Sequence, residues 1–123
     1  MNGFNKGFDQ IGSCEKLKKM KKEIMMACTT FSSQEKAQEC CRKLIKKNLI
    51  ACAQVIGPIT SCYFWEDQFC EETEWKIEIK TSVDKVREVE NAVLLLHEYD
   101  LPQWITWKAS ASTAYGKWVE SGN

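Results

Sequence analysis

A single histidine, His97, is present in this chain of 123 residues, and its neighbours make it the first candidate for chemistry. The acids Glu98 and Asp100 follow it, and Pro102 closes the segment. An imidazole beside carboxylates serves as a metal ligand, as a proton carrier or as a packed structural residue. The choice among these roles depends on which other residues the fold brings to His97.

The segments that must position His97 alternate between strand and helix patterns. Residues 24–28 form a continuous apolar run that is typical of a central strand. Ser32 with Glu35 predicts a capping box, and an amphipathic helix should follow it. A second helix is predicted over residues 83–96 with Ser82 as its cap, which places His97 on the apolar side of the helix end.

A long hairpin is predicted between these two helices. Its first strand is divided at Gly57-Pro58, because proline cannot donate to a ladder in the middle of a sheet. Its return strand is identified by strict alternation of apolar and charged residues over 74–81. A short fourth strand is predicted at 104–107 and a closing helix at 113–120.

The order strand-helix-strand-strand-helix-strand predicts an α+β fold, a ferredoxin-like βαββαβ sandwich with a long hairpin and a C-terminal helix. Such a hairpin leaves strand edges that another subunit usually covers, so we expect an oligomer. In this topology the end of the first strand, near Cys28, and the end of the second helix, near His97, lie at the same edge of the sheet.

Cys28 and His97 could therefore share a copper or zinc ion, with Glu98 as a further ligand. A Cys28–His97 nucleophilic pair is the enzymatic alternative, but no glycine-rich oxyanion loop accompanies Cys28. A packed, structural His97 is the third interpretation. The residues alone leave all three open.

Composition narrows the class of protein. Lys and Arg balance Asp and Glu at 17 each, so nothing favours nucleic acid or an anionic membrane as a partner. No apolar run reaches the roughly 20 residues of a membrane span, and we expect a cytoplasmic protein. Seven cysteines without a CxxC pair are typical of free thiols in a reducing compartment.

The first 22 residues differ from the rest of the chain. Six lysines against two acids give this segment a charge of +4. We therefore expect a flexible basic leader over residues 1–22 and one folded domain over residues 23–123.

Five segments in this order carry a resemblance to a known family: Cys28-Thr29-Thr30, residues 49–54, residues 60–66, Ile79-Lys80-Thr81 and residues 97–102. Over residues 24–119 the chain resembles the CutA, or divalent-cation tolerance, family. The resemblance implies a tight homotrimer in which hairpin strands pair between subunits, with copper binding in some members. In animal relatives it implies a link to the anchoring of acetylcholinesterase.

The resemblance also places the family's proposed metal ligands at Cys28 and His97. Glu98 stands where the family usually has proline and adds a potential oxygen ligand. We therefore expect a non-enzymatic homotrimer that binds copper or another divalent metal ion weakly through Cys28, His97 and Glu98. The alternative is a trimeric signalling or scaffold protein that binds a small molecule or a protein partner at the subunit boundary.

Overall fold

The computed structural model describes residues 21–121, which form four strands and three helices. In chain order these are β1 (Lys21–Phe31), α1 (Gln34–Lys46), β2 (Cys52–Trp65), β3 (Gln68–Thr81), α2 (Val86–Leu96), β4 (Ile105–Ser112) and α3 (Thr113–Ser121). The predicted α+β class, the long hairpin and the closing helix are confirmed. No helix within residues 21–121 is long and apolar enough to cross a membrane.

The four strands form one antiparallel sheet in the order β2-β3-β1-β4. β1 is therefore a central strand, with β3 on one side and β4 on the other. Alternate residues of β1 and β3 join α1 and α2 in one buried core, because side chains on a strand alternate between faces. The core comprises Ala27, Phe31, Ala37, Cys40, Leu44, Ile50, Ile77, Ile79, Val89 and Val93.

Helix α1 has the predicted apolar stripe, but its N-cap lies one residue later than predicted. Ser33, not Ser32, is the N-cap, and its hydroxyl accepts a hydrogen bond from the Lys36 N–H at 3.2 Å. Asn48 has a φ of 59°, the left-handed conformation that commonly follows a helix end. The prediction of Ser32 as the cap was wrong because its side chain has a distant partner, Glu98.

Two other predicted boundaries also change. β4 runs to Ser112 rather than ending at residue 107, because it pairs with β1 along most of that strand. The last two residues of the predicted leader, Lys21 and Lys22, lie opposite Ser112 and Ala111 in this pairing. The rest of the leader lies outside the described residues.

Helix α2 begins at Val86, three residues after its predicted start. Its N-cap is Lys85, which makes no side-chain capping bond, so the predicted Ser82 cap was wrong. The Lys85 N–H instead donates to the Ser82 carbonyl at 3.2 Å, in the turn that precedes the helix.

β2 and β3 extend far beyond the rest of the sheet. β1 pairs with β3 only as far as Phe31, opposite Trp75, whereas β2 and β3 continue to a turn at Glu66 and Asp67. Residues 59–74 thus form a two-stranded extension, which we call the ribbon. The predicted hairpin is confirmed, and its outer half leaves the four-stranded sheet.

The interruption at Gly57-Pro58 is a shift in register between Ile56 and Ile59, as predicted. At this point the indole ring of Trp75 lies directly against Gly57. A Cβ atom added to Gly57 would come within 2.5 Å of Trp75 Cδ1 and 2.8 Å of Trp75 Cγ. The ring occupies the space that any other side chain would need.

We therefore expect Gly57→Ala to lower the free energy of unfolding by about 1–3 kcal/mol, because the rigid indole must move away from the sheet. Urea unfolding of wild type and variant measures the difference. Thr60→Ala, an exposed change on the same strand, is the control and should have a smaller effect. A Gly57→Ala protein as stable as wild type would show that the ring moves freely.

Candidate functional site

His97 lies where α2 ends and the chain turns back across the end of β1. It is the C-cap of α2, with extended backbone angles of −77° and 143°. Its ring stacks on Phe31, with ring centroids 4.3 Å apart. The predicted position of His97, on the apolar side of the helix end and beside the end of β1, is confirmed.

Both nitrogens of the imidazole have hydrogen-bond partners. The Tyr99 N–H donates to Nδ1 at 3.1 Å, and Nε2 lies 3.0 Å from the Thr29 hydroxyl oxygen. Because Nδ1 accepts, the proton of the neutral ring belongs on Nε2, which then donates to Thr29. A metal ion could bind His97 only by displacing one of these partners.

Burial lowers the pKa of His97 below its usual range. The Thr30 backbone and the carboxylates of Glu98 and Glu74 act in the opposite direction but do not outweigh burial. The imidazole is therefore neutral at physiological pH, as its hydrogen bonds require.

The carboxylate of Glu98 is bound by donors from the start of α1. Its oxygens accept from the Ser32 N–H at 2.9 Å, the Ser32 hydroxyl at 2.6 Å and the Lys36 ammonium at 3.1 Å. Burial alone would raise the pKa of Glu98, but these donors hold it below its usual range. Through these hydrogen bonds, Glu98 connects the end of α2 to the start of α1.

Cys28 lies on the other face of the sheet from His97. Thr29, its neighbour on β1, points toward the imidazole, and consecutive residues of a strand point to opposite faces. The Cys28 side chain is 5% exposed, and Gln103 Nε2 donates to its sulfur at 3.4 Å. One chain therefore does not place the thiol and the imidazole together.

Two residues that the sequence did not identify complete the surroundings of His97. The Tyr99 hydroxyl donates to the Glu74 carboxylate at 2.8 Å, and the Tyr99 ring centroid lies 5.0 Å from that of His97. Burial, and then the Glu74 carboxylate, raise the pKa of Tyr99. Glu74 is only 7% exposed, although it belongs to the charged residues of the alternation predicted over 74–81.

The family model described as "CutA1 divalent ion tolerance protein" matches residues 25–122 of this chain. The chain belongs to the CutA1 family. A divalent-cation tolerance protein CutA of Thermotoga maritima is 34% identical over 97 residues, which are 78% of this chain and 95% of that protein.

Solved CutA structures share the fold. CutA1 of Ehrlichia chaffeensis has a TM-score of 0.79 and 35% identity, covering 82% of this chain and 95% of its own. CutA of Synechococcus elongatus, in a structure complexed with a Bis-Tris molecule, has a TM-score of 0.75 and 28% identity, covering 83% of this chain and 95% of its own.

The three predicted metal ligands of this CutA1 chain do not form an ion site within one chain. Cys28 and His97 face opposite sides of the sheet, and the carboxylate of Glu98 is already bound by three donors. Across residues 21–121, no group of three or more His, Cys, Asp or Glu residues is placed to hold a metal ion. The same separation leaves no Cys28–His97 nucleophilic pair within the chain.

The neutral state of His97 makes the stability of the fold depend on pH. Because the folded pKa lies below the ordinary value of 6.5, the unfolded chain binds this proton more readily than the folded chain does. The contribution of His97 to stability is complete above pH 6.5 and is lost as pH falls through the folded pKa.

We expect the free energy of unfolding of wild type to decrease as the pH falls from about 7.5 to about 5, and to decrease less in His97→Gln. Urea unfolding in a metal chelator measures both, and His97 is the only imidazole in the chain. Equal slopes for the two proteins would contradict a half-buried, neutral His97.

Proposed function

We propose that this chain acts in divalent-cation tolerance as a non-enzymatic, cytoplasmic homotrimer that binds copper or another divalent ion weakly. Membership of the CutA1 family supports the role in tolerance. The ribbon supports the proposed assembly, because it projects from the sheet with its apolar side chains exposed. Cys28 is the proposed ion ligand, because its sulfur makes the weakest competing hydrogen bond of the three predicted ligands.

Large apolar side chains of the ribbon are exposed in the single chain. Phe64 is 74% exposed and Phe69 58% exposed, and their rings meet edge to face across the two strands at 5.8 Å. An isolated two-stranded hairpin is at best marginally stable in water, so the ribbon needs a neighbour. A cyclic trimer supplies one to every ribbon, because each subunit contacts the next around a closed ring.

We expect sedimentation at micromolar concentration to give three times the mass of one chain. Phe64→Glu with Phe69→Glu should shift the population to smaller species, because charge is then placed where the apolar contact forms. Leu95→Glu is the matched control: Leu95 is 87% exposed and belongs to α2, not to the ribbon. A wild-type monomer would contradict the trimer.

For ion binding, we assign the primary ligand to the Cys28 thiol, which is 5% exposed on the face of the sheet opposite α1 and α2. Thiolate sulfur is a preferred ligand for soft metal ions, and sulfur is a weak acceptor for the neutral Gln103 amide that donates to Cys28 at 3.4 Å. His97 and Glu98, by contrast, would each have to give up hydrogen bonds between nitrogen and oxygen atoms or between two oxygen atoms. A single protein thiol per chain is consistent with weak binding.

Titration of the reduced, oxygen-free protein with copper and with Zn²⁺ tests this assignment. We expect Cys28→Ser to weaken binding at least about tenfold, a loss of roughly 1.4 kcal/mol. Cys62→Ser, which removes an exposed thiol on the ribbon, is the control. His97→Gln should leave the affinity unchanged; equal losses in Cys28→Ser and His97→Gln would mean that both are ligands, and no loss in Cys28→Ser would overturn the site.

A second candidate function is small-molecule binding at a subunit boundary. The buried carboxylate of Glu74, held by Tyr99 at the base of the ribbon, supports it, because a carboxylate can bind a protonated amine. Bis-Tris, the molecule in the Synechococcus elongatus CutA structure, is a tertiary amine with several hydroxyl groups. Calorimetry with Bis-Tris separates the candidates: binding that Glu74→Gln abolishes and Cys28→Ser preserves favours this second function.

A further inference from the structure

The ribbon carries charge of one sign only. Between residues 59 and 74 there is no Lys, Arg or His, but there are five acids: Glu66, Asp67, Glu71, Glu72 and Glu74. Glu74 is buried against Tyr99, and the other four are exposed. Within residues 21–121, none of these four forms an ion pair. The ribbon therefore presents acids and exposed aromatic rings on the same narrow element.

The complementary charge is found just before β1. Residues 16–22 contain five lysines and no acid, the densest run of positive charge in the sequence. Lys21 and Lys22 belong to β1, and Lys22 pairs with Glu120 at 3.0 Å, so Lys16, Lys18 and Lys19 are the lysines of this run that precede the sheet. Lysine suits an acidic, aromatic surface, because its alkyl stem packs on rings while its ammonium group meets carboxylates.

These lysines cannot reach the ribbon of their own chain. Ten strand steps separate Lys21 from Phe31, which is about 33 Å, and the ribbon begins only beyond Phe31. The five peptide steps from Lys16 to Lys21 span at most about 18 Å. The start of β1, which these lysines precede in sequence, and the ribbon acids thus lie at opposite ends of that strand.

We propose that the lysine-rich segment at residues 16–19 of one copy binds the acidic ribbon of a neighbouring copy. The contact joins two different surfaces, and such contacts close into a ring in a cyclic oligomer. The proposal rests on the homo-oligomer proposed above and goes beyond it, because it assigns an occupant to the ribbon's charges. The segment then acts as an intersubunit clamp.

Carbodiimide coupling, which joins amines to carboxylates without a spacer, tests the contact in the full-length protein. We expect cross-linked species of twice the single-chain mass on a denaturing gel. Mass spectrometry of their peptides should join Lys16, Lys18 or Lys19 to Glu71 or Glu72. The yield should fall strongly between low salt and about 0.5 M salt, because exposed charges are screened beyond a few ångströms there.

Cleavage by trypsin gives a second readout that needs no reactive carboxylate. In Glu71→Gln with Glu72→Gln, cleavage after Lys16, Lys18 and Lys19 should be about fivefold faster than in wild type, as expected for the loss of two exposed charge pairs. Glu35→Gln with Glu88→Gln, which neutralises two exposed helix carboxylates, is the matched control and should leave the rate unchanged.

Sedimentation of the same samples distinguishes failure of the clamp from failure of the trimer. A trimer whose ribbon carboxylates couple to other lysines, or to none, would overturn the clamp and leave the proposed trimer intact. Equal cleavage rates in wild type and in the ribbon variant would also overturn the clamp. A monomer would overturn both proposals.

Discussion

Side chains alternate along the central strand β1, and this constraint decides what His97 can do. Thr29 and Phe31 point toward the helices, where one holds the imidazole by a hydrogen bond and the other by ring stacking. Cys28, one residue earlier, must point to the other face. The same alternation that builds the core thus separates the thiol from the imidazole, although both lie at the edge where the topology was expected to bring them together.

Hydrogen bonding then explains what His97 and Glu98 contribute to the fold of a single chain. A polar group that loses contact with water must find other partners or destabilise the fold. His97 bonds to β1 and to the Tyr99 backbone, and Glu98 bonds to Ser32 and Lys36. Together they connect β1, α1 and the end of α2, so polar contacts fix the segment after α2.

The unequal lengths of the strands leave part of the sheet as a two-stranded extension. β2 and β3 continue past the end of β1, and among residues 21–121 no third strand pairs with the ribbon they form. Its exposed rings and acids are the surfaces on which the proposed assembly rests. The proposed contacts thus lie on an element that contributes no residue to the buried core cluster.

The sequence by itself determined the elements, because local periodicity records which face of each is buried. The alternation over 74–81 identified β3, the stripe of Ala37, Cys40 and Leu44 identified α1, and Gly57-Pro58 marked the irregularity in β2. Only the tertiary structure decided the partners of polar groups. Ser32 caps no helix because it bonds to Glu98, 66 residues away, and Glu74 is buried because Tyr99 covers it. Periodicity carries no information about such distant contacts, since they depend on how elements pack.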